Sequence, residues 1–283
     1  MTYSVKITGD TNPGRIRLNN EDRFGILETK NREMVFFVAD GMGGHLAGEV
    51  ASSHMAETIQ HAFSDKKSLE DTWGSEKKSS PDFFSNDYLQ HVVEKGNTKI
   101  FHHAMDDMDK RGMGTTLTLS IIRDNQLKIA QVGDSRAYLI RKKSIRLLTK
   151  DHSLVQNEVD LGLITPEEAL WDPRKNIITK AVGIIAKVEP DFYDYTLEPK
   201  DRILLCSDGL YDLVPENELL HLSQKKSLEE CVHFLIDKAN AHGGKDNVTV
   251  VMAEINYSNG IEKQNKSQKG FWFFKKLKKE EKA

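Results

Sequence analysis

Residues 115–148, TTLTLSIIRDNQLKIAQVGDSRAYLIRKKSIRLL, read as a succession of short β-strands. Thr116–Ile122, Leu127–Gln131, Ala137–Arg141 and Ser144–Leu148 are rich in aliphatic and β-branched residues, and Asp-Asn, Gly-Asp-Ser and Lys-Lys pairs or triplets punctuate them. The pattern predicts a meander, in which Gly133-Asp134-Ser135, taken by itself, suits a hairpin connection. Working outward, Tyr3–Thr8, Arg23–Thr29, Met34–Asp40, Asp201–Ser207 and Val248–Ile255 also read as strands. Three- and four-residue spacing marks helices over Ala47–Phe63, Asp87–Met108 and Ser227–His242. Strands and helices fall in separate blocks, which favours an α+β fold of antiparallel sheets with helices on their faces over a Rossmann-type parallel sheet.

The chain has 283 residues, 38% hydrophobic and 29% charged, enough for a sizeable core in one large domain or two small ones. Cys206 and Cys231 are its only cysteines, so neither a disulfide framework nor a cysteine zinc site is expected. The N-terminal residues lack a basic segment followed by an apolar run, and no apolar stretch approaches the roughly 20 residues that span a bilayer. A cytoplasmic protein is expected. Net charge is −3, yet residues 263–283 hold eight Lys against two Glu, so the body of the chain is markedly acidic. That balance argues against nucleic acid as the main partner.

Acidic residues recur at apolar strand ends beside glycine: Val38-Ala39-Asp40-Gly41-Met42-Gly43-Gly44, Val132-Gly133-Asp134-Ser135-Arg136, Leu205-Cys206-Ser207-Asp208-Gly209 and Gly244-Lys245-Asp246-Asn247, with Asn20-Glu21-Asp22 near the start. Each alone is compatible with an ordinary Asp-Gly turn. Five along one chain suggest a shared site of oxygen ligands for hard cations. Asp40, Asp208 and Asp246, the Gly41 carbonyl and outer support from Glu21 would suit two or more Mg²⁺ or Mn²⁺ ions. Such ions activate water and clamp a phosphoryl oxygen, so phosphoester hydrolysis needs no protein nucleophile. Arg15 and Arg17 are the candidates to orient a phosphate. Gly243-Gly244-Lys245-Asp246 lacks the spacing of a nucleotide-binding phosphate loop.

In order along the chain, Arg15–Asp22, Val38–His45, Gly112–Leu117, Val132–Tyr138, Ser207–Leu210 and Lys245–Thr249 resemble the motifs of the metal-dependent (type 2C) serine/threonine protein phosphatases, most closely the bacterial branch. The resemblance covers about residues 1–255. It implies a four-layer α-β-β-α sandwich, two antiparallel sheets flanked by antiparallel helices, with a binuclear Mn²⁺ or Mg²⁺ centre at one end. It also implies that Asp40 bridges the ions, Gly41 offers its carbonyl, Asp208 and Asp246 ligate directly and Glu21 acts through water. Asp134 matches the position of a third, weaker metal, and Arg17 has the spacing of the phosphate-binding arginine. Met42 stands where eukaryotic members carry a histidine. His45, three residues on, is either the acid for the leaving group or a structural histidine. Residues 151–183 match the variable flap, and Asp172-Pro173-Arg174-Lys175-Asn176 departs from the usual His-Pro-Arg-Arg-Asn at its first residue.

The function expected from this resemblance is hydrolysis of phosphoserine and phosphothreonine in proteins by a monomeric enzyme. A small-molecule phosphatase and a catalytically silent binding module are the rivals, the second disfavoured by intact acidic ligands. Ser64–Ser85 reads as a polar surface loop, 256–270 as a linker, and 271–283, with Phe271-Trp272-Phe273-Phe274 ahead of clustered lysines, as a basic aromatic tail. The tail either contacts an anionic membrane surface or a protein, or is simply solvated.

Overall fold

The computed structural model describes residues 2–44, 46–64, 82–225 and 227–258. His45, most of the polar loop after residue 64, and the tail 271–283 lie outside the described residues. Of the expected linker, 256–258 are described, and they continue the last strand.

The strands are β1 Thr2–Asn12, β2 Arg23–Glu28, β3 Met34–Ala39, β4 Gly41–Met42, β5 Gly114–Thr115, β6 Leu117–Arg123, β7 Gln126–Val132, β8 Arg136–Arg141, β9 Ser144–Leu147, β10 Asp191–Thr196, β11 Arg202–Cys206 and β12 Val248–Ser258. The α-helices are α1 Ala47–Ser64, α2 Asn86–Asp106, α3 Leu154–Asp160, α4 Pro166–Trp171, α5 Asp208–Tyr211, α6 Glu216–Leu222 and α7 Leu228–Ala241. Two five-stranded antiparallel sheets form, one in the order β1-β12-β11-β8-β9 and the other β10-β7-β6-β3-β2.

Side-chain alternation along the strands builds three apolar layers. On β3, Val35, Phe37 and Ala39 join Ala51, Met55 and Ile59 of α1 and Val92, Val93 and Ile100 of α2. Phe36 and Val38, on the opposite face, meet Ile203 and Leu205 of β11 and Val251 and Ala253 of β12 between the sheets. On the far side, Leu204, Cys206, Val250 and Met252 pack under Cys231, Val232 and Leu235 of α7. The period of two sends successive residues to different layers, so both sheets are covered on both faces. The fold is the expected four-layer α-β-β-α sandwich. α7 begins at a capping box in which Ser227 accepts from the Glu230 N–H and Glu230 accepts from the Ser227 N–H.

The strand block at 115–148 departs from a simple meander. β6 and β7 form a hairpin in one sheet, while β8 and β9 form a hairpin in the other. Gly133-Asp134-Ser135 is therefore the crossing between sheets and not a hairpin turn. Gly133 sits at φ +100°, and a Cβ there would lie 2.7 Å from the Thr116 side chain, which restricts the position to glycine. Ser135 is fastened by its Oγ to Thr116 Oγ1 at 2.7 Å, and its carbonyl accepts from Thr118 Oγ1 at 2.6 Å. β10 was not expected from the sequence. Its Asp-Phe-Tyr-Asp-Tyr-Thr run is a sheet-edge strand without a fully buried residue.

Candidate metal centre

Strand register gathers the acidic residues at one end of the sandwich. Arg23 of β2 pairs with Ala39 of β3, so Asp22 and Asp40 leave the same end of one sheet. Cys206 pairs with Val250 of β12 and with Arg136 of β8, so Asp208, Asp246 and Asp134 flank the same end of the other. Asp40 and Asp208 keep a strip of surface open to solvent, while their carboxyl groups are walled in by protein.

Local hydrogen bonds fix the strand ends. The Asp40 N–H donates to Thr116 Oγ1 at 2.9 Å and its carbonyl accepts from the Thr116 N–H at 2.8 Å. Gly41 follows because the chain passes too close for a side chain: a Cβ would lie 2.1 Å from the Gly48 carbonyl oxygen and 2.6 Å from that of Glu21. The Glu21 carbonyl accepts from the Gly41 N–H and from Ser52 Oγ, and the Glu21 N–H donates to Asn247 Oδ1. Asn247 Nδ2 also donates to the carbonyls of Pro13 and Asn19, pinning both ends of the loop that carries Arg17. Arg17 Nη2 lies 2.8 Å from Asp246 Oδ2. Arg15 engages Gly244 through its backbone N–H.

The electrostatics are those of crowded carboxylates. Burial, followed by the charges of Asp22, Asp208, Asp134 and Asp246, raises the Asp40 carboxyl well above its ordinary range. Burial and then Asp134, Asp246, Asp212 and Asp22 do the same to Asp208. Burial, with Asp151 next, pushes Asp134 up to about 7. Glu21 is raised chiefly by burial, and Arg17 partly opposes that rise.

Asp22 is a member of this cluster that the sequence reading did not single out as a site residue. It is fully buried; Ser207 Oγ donates to its Oδ2 at 2.8 Å and Thr249 Oγ1 at 2.6 Å. Burial raises its carboxyl to about 6, the two hydroxyls working in the opposite direction. The available signal was its place beside Glu21 immediately before a strand.

These residues fit divalent cations. Glu21 Oε1 and Asp22 Oδ1 are buried acceptors without a hydrogen-bond partner, and the charges acting on Asp40 are other carboxylates. Such crowding calls for positive charge. Among the described residues no three acidic, imidazole or thiol side chains close on one point as a ready-made cage. An open set of carboxylates suits Mg²⁺ or Mn²⁺, which keep part of their water shell, better than zinc.

The flap residues 151–183 close over one side. Asp151 accepts the Arg136 guanidinium at 2.7–3.1 Å, and Arg136 stacks 3.7 Å from the Tyr211 ring centroid. Lys175 reaches Asp212, next to α5, at 2.7 Å. The flap ends where Val182 pairs with Thr115, beside Gly41.

Comparison with known proteins agrees with this geometry. The family model described as protein phosphatase 2C matches residues 15–249. The serine/threonine phosphatase stp of Listeria innocua is 41% identical over 252 residues, 87% of this chain and 94% of that protein. The serine/threonine phosphatase of S. agalactiae superposes with a TM-score of 0.79 at 34% identity, covering 89% of this chain and 99% of the other. The catalytic domain of the serine/threonine protein phosphatase PstP in complex with two manganese ions superposes with a TM-score of 0.76 at 35% identity, covering 90% of this chain and all of that one. With carboxylates gathered at one end of a four-layer sandwich and a family match over most of its length, the chain belongs to the protein phosphatase 2C family.

Proposed function

We propose that this chain is a metal-dependent protein serine/threonine phosphatase that acts in the cytoplasm on phosphoserine and phosphothreonine in proteins. The observation that carries the reading is the convergence of Asp40, Asp208, Asp246, Glu21 and Asp134 at one end of the sandwich, with Arg17 at the rim. Two divalent ions, Mn²⁺ or Mg²⁺, supply an acidified water and positive charge for phosphoryl oxygens. Asp40, Asp208 and Asp246 are the anionic ligands in this reading, with the Gly41 carbonyl beside them and Glu21 and Asp134 contributing further oxygens. Asp22 ties the two sheets through Ser207 and Thr249, so the ligand-bearing strand ends keep their spacing. Arg17 orients the phosphate with its guanidinium fork on a loop that Asn247 holds at both ends. Among the described residues no helix is long and apolar enough to cross a membrane. The enzyme works as a monomer, and the tail 271–283 is a separate contact segment for an anionic membrane surface or a protein.

The test is hydrolysis of a phosphothreonine peptide and of p-nitrophenyl phosphate with added Mn²⁺ or Mg²⁺, repeated with EDTA. Turnover that requires the metal and returns when EDTA is titrated out is expected. A metal-free preparation that stays inert with each added divalent ion would overturn the reading.

A further inference from the structure

The crossing at Gly133 is gripped from the flap by one residue that no motif marks. The His152 N–H donates to the Gly133 carbonyl at 3.0 Å. The Gly133 N–H donates back to His152 Nδ1 at 2.9 Å. Both backbone polar groups of one glycine are thus taken by one histidine. Because Nδ1 accepts, it carries no proton, and the ring proton is on Nε2. Nε2 lies 3.2 Å from Asp191 Oδ2, an ion-pair contact out of line for a hydrogen bond, and the imidazole is largely buried, with 12% of its side chain exposed.

Asp191, the first residue of β10, also holds the other stem of the flap: Lys180 Nζ lies 2.7 Å from its Oδ1. The stems pair with each other as well. The Thr179 N–H donates to the His152 carbonyl and the Leu154 N–H to the Ile177 carbonyl, each at 2.8 Å. The charged groups around the imidazole are Asp191, Lys180 and the neighbouring Asp151. The turn cannot move independently of what lies beneath it. Ser135 is bonded to Thr116, and Thr116 is bonded twice to Asp40.

We propose that His152, oriented by Asp191, is a positioning residue that holds the Gly133–Ser135 crossing, and with it the Asp134 carboxylate, in register with the stems of the flap. The proposal rests on reading Asp134 as a ligand of the weaker metal. A metal ligand on a left-handed glycine turn is located only as well as that turn is held, and partners behind a ligand commonly control affinity as strongly as the ligand's own orientation does. The same contacts connect flap placement to the metal end, because His152 belongs to the stem of one and the support of the other.

The experiment compares the full-length protein with His152→Ala, His152→Asn, Asp134→Ala and the His152→Ala/Asp134→Ala double variant. Mn²⁺ binding is followed by calorimetry, with melting temperature and turnover of p-nitrophenyl phosphate measured alongside. Asparagine places an amide oxygen where Nδ1 now accepts from Gly133. The weakest Mn²⁺ step is expected to weaken about tenfold in His152→Ala, to recover largely in His152→Asn, and to show no further loss when Asp134 is already absent. Turnover should fall with it and recover at raised Mn²⁺. An additive loss in the double variant, or a lowered melting temperature with unchanged Mn²⁺ binding, would overturn the proposal. Should His152→Ala fail to fold, the same criteria apply to Asp191→Asn, which removes the carboxylate charge beside the imidazole. The binding readout separates this result from the phosphatase reading. Inert protein with the expected shift in Mn²⁺ binding supports the positioning role and overturns only the activity. Wild-type activity with no weak Mn²⁺ step sensitive to Asp134→Ala overturns the positioning role alone.

Discussion

Two clusters of buried charge lie side by side at the end of the sandwich, and they are completed differently. Arg136 and Asp151 close on each other: the guanidinium and the carboxylate are 20% and 10% exposed, form three N–H···O contacts, and are lidded by the Tyr211 ring. Asp22, Asp40, Asp208 and Asp134 have no such partner: burial and neighbouring carboxylates raise all four, with Asp22, Asp208 and Asp134 acting on Asp40, Asp134 and Asp22 on Asp208, Asp246 on Asp22, and Asp151 on Asp134. The first cluster satisfies its charge within the chain and so serves as structure. The second is short of positive charge, which costs stability in the absence of a cation and gives a cation its binding energy.

Removing charge from the open cluster should have the largest effect on activity. Asp208→Asn and Asp246→Asn each keep side-chain size while deleting an anionic oxygen, so turnover is expected to fall to the background of metal-free protein, with the fold retained. Near wild-type rates at saturating Mn²⁺ in either variant would remove that residue from the ligand set. Melting temperature without metal should hold or rise, because a like charge has been removed from a crowded site.

The closed cluster predicts the reverse pattern. Arg136→Met leaves the Asp151 carboxylate buried and unpaired, a change that typically costs about 3–5 kcal/mol. For a domain of this size each kcal/mol lowers the melting temperature by roughly 2–4 °C, so a drop on the order of 10 °C is expected in calorimetry. Addition of Mn²⁺ should restore little of it. A variant as stable as wild type would mean that Asp151 finds water or another donor, and the contrast between the clusters would lose its basis.

Stability against pH sharpens the same contrast. Burial pushes the Asp22 and Asp134 carboxyls up to about 6 and about 7 in the folded chain, above the ordinary value of about 4 that an unfolded chain gives. The folded state therefore binds protons more tightly, and its advantage is complete below the unfolded value. That advantage is lost as pH rises through the folded values. In EDTA the melting temperature should fall between about pH 5 and pH 8, by an amount equivalent to a few kcal/mol at most. Saturating Mn²⁺ should flatten this dependence, since ions bind the charged form. A metal-free curve that rises over the same interval would contradict the crowding.

How far the sequence reached depends on whether a signal was local. Asp40 and Asp208 were legible because an apolar run broken by Asp-Gly is visible within a few residues, and register then brought them to one end. Asp22 gave no local sign of its role, since the hydroxyls that hold it come from residues 185 and 227 positions away. The crossing at Gly133 read as a hairpin because strand propensity does not record which sheet a strand enters. That choice is set by the backbone of Gly133 and by Thr116, which lies 19 positions before the Ser135 it bonds. β10 escaped notice because a sheet-edge strand carries no buried alternation. His152 was invisible for the same reason as Asp22: its partners, Gly133 and Asp191, are brought to it only by the fold.

The smallest expected effect concerns Arg17, which touches the open cluster from its rim. Its guanidinium contacts Asp246 at 2.8 Å with about half the side chain exposed to solvent. The pair's own contribution to stability is therefore within about 1 kcal/mol. In Arg17→Ala a fork contact to phosphate would be lost, worth roughly 1.5–3 kcal/mol as a charged hydrogen bond. KM for a phosphothreonine peptide should rise by about ten- to a hundredfold, and Arg17→Lys should recover only part, because a point charge cannot reproduce the bidentate geometry. Mn²⁺ binding should be no weaker than in wild type, since Asp246 is released from an ion pair that competes with a metal for the same oxygen. Weaker Mn²⁺ binding would instead show that Arg17 acts by placing Asp246. Arg15 is held through its backbone N–H to Gly244, so Arg15→Ala should leave KM unchanged; a defect there and not at Arg17 would move the phosphate to the other side of the loop.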